Sequence, residues 1–252
     1  MNLGNFLNID TQTIARIPGV YWLYNCIRLI FAPSYRQDGL STVHNTGFIK
    51  EPRFKQAYDA GLKQEKLNFI HWRMHVLTWA AEYAIKLQGD FVECGVNRGF
   101  FSTTVMTYID FKSRPDRKFY LFDTFSGLVP EQIKVTDKAA HRRLYPDCYE
   151  FVVDSFLSYS NVVIVKGVVP ETLSTVEINK VAYLSIDMNC AEPEVAALKY
   201  FWPKIVKGGI VVLDDYAYSG YQAQKDRADE FARSVNTQIL SLPTGQGLLI
   251  KS

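Results

Sequence analysis

Several features that define other protein classes are missing from this sequence of 252 residues. Its four cysteines, at positions 26, 94, 148 and 190, show neither C-x-x-C nor zinc-type spacing. The N-terminus has no basic segment followed by an apolar core, so no signal peptide is expected. We therefore predict four reduced thiols in an intracellular, cytoplasmic protein.

The sequence also lacks a large excess of charge of either sign. Its formal net charge is +2, whereas nucleic-acid-binding surfaces usually show a strong basic excess, so no nucleic-acid partner is predicted. Hydrophobic residues make up 48% and charged residues 21% of the chain. This composition allows a large core and argues against global disorder.

No apolar run is long enough for a membrane-spanning helix. The longest candidate, residues 18–33, is too short for a bilayer and is interrupted by Arg28. We expect a helix that packs on the domain or on a second subunit, which would make the protein a homodimer. The alternative is a helix that lies in a membrane interface.

The stretch GDFVECGVNRG, residues 89–99, has the spacing E-x-G-x-x-x-G. Gly95 allows the backbone to approach a ligand closely, and Gly99 allows tight packing of the next helix, whose start near Ser102 offers unpaired N–H groups. A dinucleotide-binding motif would place glycine at Glu93 and Arg98, so an NAD-dependent dehydrogenase is disfavoured. An acid at Glu93 suits a ligand with a cationic part, such as the amino group of S-adenosylmethionine (SAM).

Strand and helix patterns alternate from residue 61 to the C-terminus. Two strands around a Pro/Gly loop then predict an antiparallel hairpin. The pattern predicts an α/β, Rossmann-like fold of the class I methyltransferase type, with a mostly parallel seven-stranded sheet and a helical cap over residues 1–60. Predicted strands cover residues 91–94, 118–122, 161–165, 181–186, 210–213, 238–242 and 248–251; the helix before the first strand runs from residue 67 and ends at Gly89.

Acidic residues follow most of the predicted parallel strands, where ligands of open α/β sheets bind. Asp123 is placed to accept both hydroxyls of a ribose. Asp187, Asp214 and Asp215 would crowd one site if their strands are neighbours, and a divalent cation such as Mg²⁺ is the simplest compensation. The alternative is that Asp187 or Asp215 merely caps the following turn. Beside a SAM site, the cation would activate and orient an acceptor hydroxyl for direct methyl transfer.

Five motifs, in order along the chain, carry a family resemblance. GDFVECGVNRG, LFDTFSGL, KGVVPETL, LSIDMNCAEPE and GGIVVLDDY resemble the macrocin O-methyltransferase family of class I SAM-dependent methyltransferases, whose members modify hydroxyls of sugars in natural products. The resemblance runs from about residue 38 and includes GLSTVHN, a mobile cap segment in similar proteins. It implies Mg²⁺ ligands at Asp187, Asp214 and Asp215, and SAM contacts at Glu93, Gly95, Asn97, Gly99, Asp123, Thr124 and Gly167.

One position departs from the family pattern. Sugar-modifying members often carry an acid, proposed as the general base, where this chain has Asn189, and an amide does not take up a proton near neutral pH. His44 is the candidate replacement, and activation by the metal alone is the alternative. The departure also leaves the acceptor open between a sugar and another hydroxylated small molecule. Competing interpretations are a metal-independent methyltransferase and a SAM-binding partner protein without catalysis.

Overall fold

The computed structural model describes residues 19–138, 140–142 and 144–252. The chain divides into two compact units between Ile49 and Lys50. Part of the predicted cap, residues 1–18, lies outside the described residues. The predicted boundary at residue 60 and the lid role of the cap stay predictions.

The described residues of the first unit include an α-helix and a small hairpin. Helix α1 (Val20–Phe31) lies within the apolar segment predicted to be helical, and strands β1 (Tyr35–Gln37) and β2 (Leu40–Thr42) pair antiparallel. The Arg36 guanidinium donates to the carbonyl oxygens of Leu29 and Ile30 at the end of α1. Among the described helices, none combines the length and apolar character needed to cross a bilayer. The homodimer and the interfacial membrane contact stay predictions.

The second unit is the predicted α/β domain. Its helices and strands alternate until the final hairpin, as the sequence pattern predicts. The helices are α2 (Pro52–Gly61), α3 (His71–Ala84), α4 (Phe100–Tyr108), α5 (Tyr149–Phe156), α6 (Ala191–Phe201) and α7 (Gln222–Ser234); the strands are β3 (Asp90–Cys94), β4 (Phe119–Asp123), β5 (Val162–Lys166), β6 (Val181–Ile186), β7 (Ile205–Leu213), β8 (Leu240–Ser241) and β9 (Gly247–Ile250).

Seven strands form one sheet in the order β5-β4-β3-β6-β7-β9-β8. Strands β3 to β7 are parallel, and β9 runs antiparallel to both β7 and β8. The predicted Rossmann-like architecture with one reversed strand is therefore confirmed. Because β6 and β7 are neighbours, the acids that follow them come to one edge of the sheet.

Both faces of the central strands are covered. All six residues of β6 are buried, as is typical of a parallel strand between two helical layers. On one face, Val92, Leu184 and Val211 pack in the core that Leu198 and Phe231 of α6 and α7 complete. Because side chains alternate along a strand, Glu93 points to the opposite face.

Predicted bounds were wrong at both ends of one helix and at the start of one strand. Helix α3 begins at His71 rather than at residue 67, and it ends at Ala84 rather than at Gly89. Gly89 instead has a φ of 139° and leads into β3, where a Cβ would lie 2.9 Å from the backbone nitrogen of Ala182. Strand β7 begins at Ile205, earlier than predicted, and its pairing with β6 shifts register between Val181 and Tyr183.

Candidate active site

The turn after β3 lies directly against the turn after β6. Gly95 has a φ of 89°, and a Cβ on it would lie 1.8 Å from the carbonyl oxygen of Asp187. Any other residue would separate the two strand ends, because that oxygen belongs to the backbone. Gly95 therefore permits a close approach of two backbones, which joins the predicted cofactor turn to the predicted metal ligands.

Asp123, at the end of β4, holds the glycine turn in place. Its Oδ2 accepts hydrogen bonds from the backbone nitrogens of Val96 (2.6 Å) and Asn97 (2.8 Å). Its Oδ1 accepts from the backbone nitrogen of Phe125 at 2.7 Å. The carboxylate predicted to bind ribose thus also orders the backbone that would surround the cofactor.

Glu93 is a buried acid with one unsatisfied oxygen. Ser102, in the first turn of α4, donates to Oε2 at 2.8 Å, whereas none of the described residues bonds to Oε1. Burial raises the pKa of Glu93 to about 8; the bond from Ser102 opposes this shift, and the negative charges of Asp123 and Asp214 add to it. A cationic group at Oε1 would satisfy the oxygen and favour the ionised form.

Asp187, Asp214 and Asp215 converge as predicted. Each offers a carboxylate oxygen within 4.8 Å of the others, and they form the single potential metal-binding group found among the described residues. Asp214 and Asp215 are buried, and Asp187 is partly buried. Burial raises the pKa of Asp187 well above its ordinary value, as do the neighbouring charges of Asp214 and Asp215, while Arg73 opposes the shift.

Buried Glu194, in the first turn of α6, supports the loop between β6 and α6. Its Oε1 accepts a hydrogen bond from the backbone nitrogen of Met188 at 3.2 Å. Burial, followed by the charge of Asp215, raises its pKa well above the ordinary value for glutamate. Glu194 therefore supports this loop as a buried acid beside the three aspartates.

Asn189 connects the acidic cluster to α7. Tyr221 donates its hydroxyl to Asn189 Oδ1 at 2.6 Å, and the amide Nδ2 donates to Asp187 Oδ1 at 3.3 Å. The bond from Tyr221 fixes which end of the amide faces Asp187. Asn189 thus presents a donor to the carboxylate, which favours the ionised form of Asp187.

The other predicted cofactor residues surround the same turns. Gly99, with a φ of 84°, precedes α4 and lies against the ring of Phe156. Asn97 donates through Nδ2 to Glu65 Oε2 at 3.1 Å. Thr124 donates through Oγ1 to the carbonyl oxygen of Gly127 at 2.6 Å, and the Gly167 nitrogen bonds to the Asp123 carbonyl at 2.8 Å.

His44 belongs to the first unit. Its side chain is exposed, and its backbone nitrogen donates to Thr42 Oγ1 at 3.1 Å. Its predicted role as general base stays a prediction.

Sequence reasoning missed two partners of Asp214. Arg73 Nη1 donates to Asp214 Oδ2, and Gln246 Nε2 donates to Asp214 Oδ1 at 2.8 Å. The motif GGIVVLDDY gives no sign of either, because Arg73 precedes Asp214 by 141 residues and Gln246 follows it by 32. No local signal in the sequence identifies these pairings.

The fold resembles that of solved methyltransferases. The structure of the O-methyltransferase NovP aligns with 92% of this chain and 99% of its own, with a TM-score of 0.65 and 22% identity. The calicheamicin methyltransferase CalS11 aligns with 82% of this chain and 94% of its own, with a TM-score of 0.57 and 19% identity. The chain therefore shares its fold with these two enzymes.

Sequence comparison assigns the family. The profile of the macrocin O-methyltransferase family (TylF) matches residues 62–240, which is more than half of the chain. The chain belongs to this family of O-methyltransferases. The stretch GLSTVHN lies outside the matched residues.

A curated relative supports this assignment. Demethyldecarbamoylnovobiocin O-methyltransferase of Streptomyces niveus is 31% identical over 160 residues, which cover 56% of this chain. The match spans 61% of the length of that relative.

Glu93→Gln tests the buried acid through protein stability. The folded-state pKa lies above the ordinary value of 4.5, so the native protein binds the extra proton and becomes less stable as pH rises from about 4.5 towards 8. We expect the wild type to lose up to about 1.4 kcal/mol per pH unit relative to Glu93→Gln. Urea unfolding without ligand at pH 6 and 8 measures this difference. The exposed Glu171→Gln is the control; if all three proteins show the same pH dependence, the burial effect is refuted.

Tyr221→Phe tests the support of Asn189. Removing the hydroxyl leaves Asn189 Oδ1 without its buried donor, which should lower the free energy of unfolding by about 1–3 kcal/mol. Urea denaturation measures the loss, with Tyr200→Phe as a control on the neighbouring helix. A Tyr221→Phe variant as stable as the control would contradict the bond.

Proposed function

We propose that this chain is a SAM-dependent, Mg²⁺-dependent O-methyltransferase that acts on a hydroxyl of a small molecule or a sugar. Family membership supports the reaction class. The observation that carries the proposal is the close approach of Gly95 to Asp187, because the turn suited to the cofactor and the acids suited to a cation share one wall. Methyl transfer requires such proximity of donor and acceptor.

The residues at the glycine turn fit SAM. Glu93 Oε1 is a buried acceptor with no hydrogen-bond partner among the described residues, so it suits the amino group of SAM. Asp123 orders the turn and stands where a ribose would bind. When bound, SAM supplies an activated methyl group, while Glu93, Gly95 and Asp123 orient it. The contacts from Asn97, Gly99, Ser102, Thr124 and Gly167 belong to the same proposal.

The acidic cluster fits a hard divalent cation. Asp187, Asp214 and Asp215 offer only oxygen ligands, which Mg²⁺ prefers, and their mutual repulsion is relieved by a positive charge. When bound, Mg²⁺ supplies a charge that favours ionisation of an acceptor hydroxyl. In this proposal Asp187 and Asp215 orient the acceptor, and His44 remains the candidate base.

The environment of Asn189 supports a site in which position 189 does not remove the proton. Its amide nitrogen faces Asp187 and its amide oxygen accepts from Tyr221. Both polar ends of the side chain are therefore used in orienting Asp187. Deprotonation of the acceptor must rely on another group or on the cation.

One observation favours a second candidate, a metal-independent methyltransferase. Arg73 already places a positive charge against Asp214 and lies 3.8 Å from Asp215. In that case the aspartates would serve orientation of the acceptor and stability of the fold. Dependence of turnover on a cation separates the two candidates.

Binding of S-adenosylhomocysteine tests the cofactor site. Because the pKa of ligand-free Glu93 is about 8, binding of a cationic amino group near pH 7 should release a proton. We expect affinity to rise by up to about tenfold per pH unit between pH 6 and 8. Calorimetry in two buffers of different ionisation enthalpy measures both the affinity and the proton release.

Glu93→Gln is the matched variant for this titration. It should bind more weakly and lose both the proton release and the pH slope, whereas Glu171→Gln should match the wild type. Absence of binding by the wild type at any pH would reject the methyltransferase proposal.

The variants Asp187→Asn and Asp215→Asn test whether methyl transfer requires a cation at the acidic cluster. Each variant should lose Mg²⁺-stimulated methyl transfer by roughly a hundredfold or more, because the site loses a charged ligand, and should still bind S-adenosylhomocysteine. The exposed Asp154→Asn is the control. Acceptors are screened from hydroxylated sugars and aromatic diols, with transfer measured by mass. Full turnover in EDTA would instead support the metal-independent candidate.

A further inference from the structure

A buried guanidinium lies beside two of the three aspartates of the acidic cluster, Asp214 and Asp215. Arg73, in the first turn of α3, donates through Nη1 to Asp214 Oδ2, and the same nitrogen lies 3.8 Å from Asp215 Oδ1. Its guanidinium carbon lies 4.6 Å from the centre of the Tyr218 ring. A positive charge of the protein itself therefore occupies one side of the cluster.

Asp214 is held from two directions. Arg73 pairs with one carboxylate oxygen, and Gln246 donates to the other at 2.8 Å. The Gln246 amide nitrogen also lies 3.5 Å from the Arg73 backbone carbonyl oxygen, which links the two partners. The orientation of Asp214 is therefore fixed by the protein, with no ion required.

The charges of the cluster match a divalent cation when Arg73 is included. When all three aspartates are ionised, as coordination of a cation requires, they carry three negative charges, and the arginine, which stays protonated in proteins, reduces the sum to two. An entering cation is attracted by the carboxylates and repelled by the guanidinium. Both forces are strong at these distances because the site is shielded from water.

We propose that Arg73 is a charge-balancing and positioning residue that holds the acidic cluster together without a metal and weakens its affinity for Mg²⁺. This inference rests on the cation site proposed above. Arg73 repels the entering cation and shares Asp214 with it, so binding is reversible and weaker than three carboxylates alone would give. The arginine therefore sets the Mg²⁺ concentration at which the site fills.

Arg73→Gln and Arg73→Lys separate charge from hydrogen bonding. Glutamine keeps a donor near Asp214 and removes the positive charge, whereas lysine keeps the charge. Calorimetric titration of Mg²⁺ should show about tenfold or more tighter binding by Arg73→Gln than by the wild type. Arg73→Lys should stay close to the wild type, and Asp215→Asn should abolish the specific binding.

Thermal unfolding gives a second measurement that does not depend on activity. Without a cation, Arg73→Gln should unfold at a lower temperature than the wild type, because like charges are left unbalanced. Added Mg²⁺ should raise its unfolding temperature more than that of the wild type, since tighter binding to the native state stabilises it more. Potassium chloride at equal ionic strength controls for screening. If Arg73→Gln does not fold in the presence of either salt, the proposal is contradicted, because it requires Mg²⁺ to replace the lost positive charge.

Equal or weaker Mg²⁺ binding by Arg73→Gln would overturn the proposal. If no protein of the set shows binding that depends on Asp215, both this inference and the metal-dependent reaction fail. Binding of S-adenosylhomocysteine, measured on the same proteins, tests the methyltransferase assignment separately, because Arg73 pairs with the acidic cluster and Glu93 is proposed to bind the amino group.

Discussion

The parallel register of β3, β6 and β7 is the constraint on which the site depends. Cys94 pairs with Ile186, and Ile186 pairs with Leu213, so the three strands end at the same level. The backbone bonds continue one residue further, from the Asp187 nitrogen to the Cys94 carbonyl oxygen and from the Asp214 nitrogen to the Ile186 carbonyl oxygen. Residues that follow adjacent strands must then lie one strand spacing apart, about 4.8 Å.

This alignment concentrates negative charge in a buried region. Different hydrogen-bond donors offset that charge at Glu93, Asp187 and Asp214. Ser102 donates to Glu93, Asn189 donates to Asp187, and Arg73 and Gln246 take the two oxygens of Asp214. Glu93 keeps one oxygen without a partner among the described residues, and burial raises its pKa to about 8. The protein's own side chains thus offset part of the negative charge of the site.

The hydrogen bond from Asn189 to Asp187 also bears on how an acceptor hydroxyl could lose its proton. At position 189 an acid would add a fourth negative charge 3.3 Å from an oxygen of Asp187, whereas the amide present here adds a donor. Tyr221 keeps that donor in place. Position 189, where the family resemblance leads one to expect an acid, therefore holds an amide that orients Asp187, one of the proposed metal ligands.

The sequence by itself determined the elements and the composition of the site. The spacing of apolar residues predicted the sheet and the reversed strand, because the alternation of buried and exposed positions in a strand or helix depends on residues that are close in sequence. The acids after β6 and β7 were predicted to meet, because parallel strands end at one edge of a sheet. The glycine at position 95 was identified from its motif, whereas its close approach to the Asp187 backbone was not predicted.

Only the tertiary structure decided which side chains pair with the acids of the site and offset their negative charge. Arg73 reaches Asp214 across 141 residues, and Tyr221 orients Asn189 across 32. Pairing of this kind depends on how helices pack on the sheet, and no local pattern encodes it. The start of α3 at His71 was missed for a similar reason, since apolar periodicity continues into residues that the fold places in a turn.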